Sequence, residues 1–386
     1  MKTLLVNVVL LLALSTSHAE DRLWVNAKIS GKPARLALDT GFAGEIGLFR
    51  PCADRLGLKL RPAGAMGTLP LWQTKTCIVR LQGWSFWGFP FGIGHIPVVE
   101  IPTFLKNDLD GCVGWPAIRH RVIEFDAGKR TFNFLDQVPE EAAGWTKMAV
   151  EPNSGILALK RRNLEGGDEI ILVDTGSGGG VALGGKKWQE WESSHPNLPL
   201  TLTADFVLDK GIRVYKQTWA DRFTLGSLEM SDLLVEEDVG GGKAWAGPAE
   251  SIMTLGTAAL GRLDFIVDGK HNVAYLRPKA TSAKPRQHNR LGAVFVPRDP
   301  SSEDLLAHVA AGSPAAEAGI RDGDVLLNMS GHDATNWRKD RAWAFSDERP
   351  AGTKLEVTVW RDGERLKLRA VLRDILVPKP ASSSSM

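Results

Sequence analysis

A ten-residue pattern occurs twice in this chain. Asp39-Thr40-Gly41-Phe42-Ala43-Gly44-Glu45-Ile46-Gly47-Leu48 lays over Asp174-Thr175-Gly176-Ser177-Gly178-Gly179-Gly180-Val181-Ala182-Leu183, with D-T-G-x-x-G-x-[IV]-[GA]-L in common. Each copy ends an apolar run, Leu36-Ala37-Leu38 or Ile170-Ile171-Leu172-Val173. Two equivalent aspartates suit one chemistry in particular, the activation of water against an amide. One carboxylate must be ionised to take a proton from water, and its neighbour must be neutral to donate to the carbonyl oxygen. Carboxyl groups about 3 Å apart cannot both ionise cheaply, so they share a proton and their titrations split. Two copies of one loop meeting on a pseudo-dyad supply such a pair. The glycine lets each loop turn tightly, and the threonine hydroxyl can tie one loop to the other.

The repeat extends beyond the loops. Val113-Gly114 follows the first copy and Leu255-Gly256 the second, at a similar distance. Downstream of each comes an aspartate leading into Gly-Lys: Asp126 with Gly128-Lys129, and Asp268 with Gly269-Lys270. Each then enters an apolar run, Phe132–Leu135 or Val273–Leu276. Strand-to-turn corners also favour Asp and Gly, but such corners do not carry a matched partner downstream. Between these landmarks the texture is β: short apolar or alternating runs, from Thr76–Leu81 to Phe265–Val267, separated by Gly, Pro, Asn or Asp. Short helices are expected at Pro51–Leu56 and Lys186–Ser193. The fold class expected is mainly β, with two related lobes at 20–138 and 139–279 joined near Val138–Gly144. The 40 glycines suit a turn-rich chain of this kind.

At these residues the chain resembles the aspartic proteases, in particular the bacterial retropepsin-like group, over roughly Leu23–Pro278. The resemblance implies a bilobal double β-barrel in which Asp39 and Asp174 are the catalytic pair. Thr40 and Thr175 would interlock the loops, and Gly41, Gly176 and Ser177 would support the carboxylates. It implies an endopeptidase acting on polypeptide substrates without cofactor or metal. A flap is expected near Gly64–Lys75, with Trp72 closing over substrate. Phe42 departs from the usual Ala or Ser and could narrow the cleft or alter the solvation of the pair. It is the best support for an alternative, a catalytically inactive peptide-binding scaffold.

Ala280–Arg290 has no apolar residue larger than alanine and reads as a linker. Beyond it, Gly312-Ser313-Pro314-Ala315-Ala316-Glu317-Ala318-Gly319-Ile320 should start a short helix, with Ser313 as N-cap and Pro314 at the first position. Arg321-Asp322-Gly323-Asp324 turns into Val325-Leu326-Leu327, and Asp362-Gly363 marks a hairpin. This stretch, 291–377, resembles an α+β PDZ domain of bacterial type. The resemblance implies that Leu291, Gly292, Ala293 and Val294 form a loop offering N–H groups to a peptide C-terminus, with the peptide added as a strand. Residues 378–386 are expected to be a disordered tail.

Met1–Glu20 has a basic start, an apolar stretch and small residues at Ser17 and Ala19, the pattern of a signal peptide over 1–19. The mature protein is expected in the periplasm or outside the cell, with no integral membrane span. A net charge of +2 argues against nucleic acid as a partner. Three cysteines, Cys52, Cys77 and Cys112, are too few for a disulfide scaffold, and one pair plus one free thiol is the simplest arithmetic in an oxidising compartment. Gly180–Lys186 has the spacing of a P-loop, but Lys187 stands where Ser or Thr should be.

Overall fold

The computed structural model describes residues 13–14, 23–62, 68–69, 74–81, 84–86, 89–91, 94–100, 109–163, 166–196, 198–207, 211–238, 250–279, 288–299, 302–337 and 349–376. Of residues 1–19 only Ala13–Leu14 falls within them, as a short strand beside Phe206 and Val207. Trp72 and the tail from 377 lie outside the described residues. The chain is mainly β, with a barrel-like sheet.

The sequence repeat is a structural repeat. Strand Lys32–Asp39 runs parallel to Gly111–Gly114, with Asp39 opposite Gly114. Gly111–Gly114 is in turn antiparallel to Ile46–Phe49, which pairs in parallel with Gly94–Val99. In the second copy Asp168–Val173 runs parallel to Glu250–Leu255, which is antiparallel to Val181–Leu183, itself parallel to Leu228–Glu237. A helix follows each loop, Arg50–Leu56 and Gly185–Ser194, within a residue of the expected bounds. Close backbone approach explains the glycine in each apolar-Gly partner. A Cβ on Gly114 would run into the Gly44 carbonyl, and one on Gly256 into the Gly179 carbonyl.

Burial follows the pleat. In Trp24–Ile29 the residues Val25, Ala27 and Ile29 face the core while Asn26 and Lys28 face water. Ile46–Phe49 and Gly111–Gly114, covered on both faces, are buried throughout. The two copies are joined through their last hairpins. Val122–Asp126 pairs antiparallel with Leu263–Asp268, placing Phe125 opposite Phe265, and the two rings stack at 5.4 Å. The hairpin Val122–Leu135 of the first copy therefore belongs to the same 13-stranded sheet as the second copy, among the described residues.

The C-terminal module is a six-stranded sheet running from Ala293–Pro297 to Glu364–Val371. Ser313 Oγ accepts from Ala316 N at 3.2 Å and caps the helix Pro314–Glu317. Asp362 and Gly363 both adopt positive φ at the tip of the last hairpin, as a type I′ turn requires. Buried Asp324 accepts two bonds of 2.6 Å from Arg361, a bidentate tie between the turn and the last hairpin. The stretch read as a linker ends sooner than expected. His288 and Asn289 are buried, because their polar atoms find partners in the module and, for Asn289, in the second copy as well. The module also packs on the second copy: Ala293–Pro297 is buried at every position and shares one apolar cluster with Leu202, Ala204, Ile212 and Val214.

No described helix is long and apolar enough to cross a membrane. The expected cysteine pair is not formed: none of Cys52, Cys77 and Cys112 is in a disulfide, with Cys52 and Cys112 buried in the first lobe and Cys77 half-buried. Burial, and then the neighbouring Asp110, push the Cys52 thiol up to about 12. Only about one molecule in 10⁴ then carries the thiolate at pH 8. A native titration with a thiol-specific disulfide reagent at pH 8 should modify Cys77 first and leave Cys52 and Cys112 intact until denaturant is added. Fast labelling of Cys52 in the folded protein would contradict this packing.

Candidate functional site

The two D-T-G loops meet. Thr40 Oγ1 donates to Val173 O at 2.6 Å and accepts from Thr175 N at 3.1 Å. Thr175 Oγ1 donates to Leu38 O at 2.7 Å and accepts from Thr40 N at 3.1 Å. Both threonines are fully buried, so each hydroxyl satisfies a donor and an acceptor of the opposite loop where water cannot.

This interlock sets the carboxyl groups. Gly41 N donates to Asp39 Oδ1 at 3.0 Å, while Gly176 N and Ser177 N donate to Asp174 Oδ1 at 2.9 and 3.2 Å. Each carboxyl also lies against the glycine of the other loop. A Cβ on Gly41 would sit 2.7 Å from Asp174 Cγ, and one on Gly176 would sit 2.5 Å from Asp39 Cγ. A side chain at either position would run into the opposite carboxyl group, and its absence is what lets each carboxyl lie against the other loop. Asp39 and Asp174 are both buried. The structure thus brings together Asp39, Thr40, Gly41, Asp174, Thr175, Gly176 and Ser177.

Phe42 does not narrow a cleft. Its side chain is fully buried and turns back beneath its own loop. The ring occupies space left by three glycines: added Cβ atoms on Gly44, Gly47 and Gly114 would lie 2.6, 3.1 and 2.9 Å from it. The second copy fills the equivalent region with polar groups. Ser177 Oγ accepts from Gly179 N at 3.2 Å, and Ser177 O accepts from Thr257 N and Oγ1 at 2.9 and 3.0 Å. Behind them Glu236 Oε2 accepts from Gly180 N at 2.8 Å, and Glu236 Oε1 accepts from the amide of Gln217. Sequence reasoning missed Glu236 and Gln217. The available signal was a glutamate directly continuing the apolar run Leu233-Leu234-Val235.

Lys187, in the P-loop-like stretch, lies on the helix Gly185–Ser194 and pairs with Glu169 and Glu190. Among the described residues no cluster of His, Cys, Asp and Glu is arranged to hold a metal ion.

In the C-terminal module the loop expected to grip a peptide carboxylate is already engaged. Leu291 N and Gly292 N donate to Asn289 Oδ1 at 3.0 and 3.1 Å. Asn289 Nδ2 donates to Ala293 O at 2.8 Å and to Leu202 O of the second lobe at 2.9 Å. Ala293 and Val294 belong to the strand that follows, and Val294 faces His308 across the ladder.

Replacing Phe42 with Ala removes a ring from a closed apolar site, which typically costs about 3–5 kcal/mol. Urea unfolding of Phe42→Ala should show a loss in that range. A loss below about 1 kcal/mol would place the ring at a surface instead.

A family model for the PDZ domain matches residues 289–372. No curated protein matches the chain. The match begins at Asn289, the residue that occupies the loop, and residues 289–372 form a PDZ domain.

Proposed function

We propose that this protein is an aspartic endopeptidase of the retropepsin-like kind, with a PDZ domain that binds peptide. The observation that carries the reading is the reciprocal interlock of the two D-T-G loops, with each carboxyl seated on the glycine of the other loop. A structural turn needs neither the duplication nor the exchange of threonine bonds across 135 residues.

The reaction follows from two carboxyl groups that share one proton. The ionised carboxylate takes a proton from a water held between the two groups. The water oxygen bonds to the amide carbon, and the neutral carboxyl gives its proton to the carbonyl oxygen. The tetrahedral diol then collapses: the amide nitrogen takes the proton of the protonated carboxyl, the C–N bond breaks, and a diol hydroxyl gives its proton to the other carboxylate as it becomes the carbonyl of the new acid, so the pair returns to its singly protonated state. No covalent intermediate and no cofactor is needed, and the contribution is general acid–base catalysis with positioning. Buried surroundings strengthen the sharing of the proton, because like charges repel more in low dielectric. On this reading the substrate is polypeptide, and the signal-peptide pattern of residues 1–19 supports a site of action outside the cytoplasm. The alternative of an inactive scaffold drew its support from Phe42, whose ring is fully buried against Gly44, Gly47 and Gly114.

The mature chain should cleave denatured casein within the range of about pH 3–8. Asp39→Asn and Asp174→Asn should each lower kcat by about 10²–10⁴-fold, the usual worth of a positioned proton-transfer group, with melting temperatures near that of the parent. Cleavage that survives both single substitutions would overturn the reading.

A further inference from the structure

The PDZ domain carries its own occupant. Asn289 lies almost completely buried at the mouth of the loop, and all its side-chain hydrogen-bonding capacity for the domain is spent there. Its Oδ1 takes the N–H groups of Leu291 and Gly292, two of the donors that the resemblance to PDZ domains would offer to a peptide carboxylate. Its Nδ2 and its main-chain oxygen hold the second lobe, through Leu202 O and through Thr201 Oγ1 at 2.7 Å. The same residue therefore plugs the loop and ties the domain to the lobe that carries Asp174.

The tie does not stop at the surface of that lobe. Thr201 stands directly opposite Gln217 in the antiparallel pair of Leu200–Val207 with Gly211–Leu225. Gln217 stands directly opposite Glu236 in the next pair. Direct partners in antiparallel strands share a face, so Thr201, Gln217 and Glu236 form one row across three strands. All three are buried. The row ends where Gln217 donates to Glu236 and Glu236 accepts from Gly180 N, six residues along the loop from Asp174. Thr201 and Gln217 are neighbours by register, and a buried polar row of this kind is costly to leave half satisfied.

We propose that Asn289 is an internal latch on the PDZ domain. A peptide with a free C-terminal carboxylate competes with it for the N–H groups of Leu291 and Gly292, and its displacement loosens the row that supports the Asp174 loop. A carboxylate makes stronger, charge-assisted bonds to two N–H groups than a neutral amide oxygen does, so the exchange favours that ligand. The apparent affinity is reduced by the fraction of molecules in which the latch is open. By linkage, whatever the peptide does to the Asp174 loop, occupation of the Asp174 site does to the peptide in equal measure. The latch rests on the PDZ domain alone; its consequence at Asp174 rests on the aspartic-protease reading.

The test uses the full mature chain, its Asn289→Ala variant and its Asn289→Asp variant. Asn289→Asp keeps an acceptor for both loop N–H groups and loses the donor to Leu202. The probe is a pool of random decapeptides with free C-terminal carboxylates, beside the same pool amidated, with retained peptides identified by mass spectrometry. Asn289→Ala should bind carboxylate peptides at least tenfold more tightly than the parent and should ignore the amidated pool. Amide exchange at Leu291 and Gly292 should rise at least tenfold in Asn289→Ala and stay near the parent value in Asn289→Asp. Exchange at Gly180 should rise in Asn289→Ala and on adding retained peptides to the parent. Equal peptide binding by parent and Asn289→Ala, or failure of the pool to bind either, would overturn the latch. Faster exchange at Leu291 and Gly292 with none at Gly180 would overturn the link to the Asp174 loop. None of these readouts needs cleavage, so a failure of the protease reading is seen separately in the aspartate variants.

Discussion

The exchange of hydrogen bonds between Thr40 and Thr175 is the constraint on which the rest of this structure depends. Each hydroxyl is buried and must find both a donor and an acceptor, and each finds them only in the other loop. That requirement fixes the distance between two segments far apart in the chain. The glycines at 41 and 176 then become obligatory, since each faces the opposite carboxyl group. The parallel strand pairs, the apolar-Gly partners and the stacked Phe125 and Phe265 hold two identical corners at the separation this interlock demands. The sheet is the support and the interlock is the specification.

The two copies share this frame but fill the space beneath it differently. The first uses one large ring, Phe42, set among three glycines that make room for it. The second uses Ser177, Thr257, Gln217 and Glu236. A packed ring is held without directional bonds, by burial and close contact. A polar row has discrete partners and therefore discrete alternatives.

The sequence made some of this legible and hid the rest for physical reasons. The duplicated D-T-G pattern identified Asp39, Thr40, Gly41, Asp174, Thr175, Gly176 and Ser177, because both copies answer to one steric and hydrogen-bonding need. The module beginning at Asn289 was legible in its cap, its turn and its Asp362-Gly363 hairpin, all of them local signals. The direction of the Phe42 ring was not, because a single residue type does not say which face it packs on; Gly44, Gly47 and Gly114 settle it only in three dimensions. Pairing of Val122–Asp126 with Leu263–Asp268 is long-range and carries no local mark. Cys52 and Cys112 count toward a disulfide in arithmetic, yet burial among apolar residues is a sufficient use for a thiol. His288 and Asn289 look like linker residues because their polarity predicts exposure, whereas here every polar atom of the Asn289 side chain is matched.

That last mismatch is also the most informative. Polar residues rarely withdraw from water unless the interior offers each of their atoms a partner, and such a site is held by directional bonds more than by shape. Asn289 meets that condition with partners from two units: N–H groups of the PDZ loop, and main-chain and hydroxyl groups of the second lobe. A hydrophobic residue there could seal the same contact, but it would leave Leu291 N and Gly292 N unsatisfied. An acceptor is therefore required at this point whenever no peptide supplies one, and an asparagine that also reaches Leu202 converts that local need into a connection between domains.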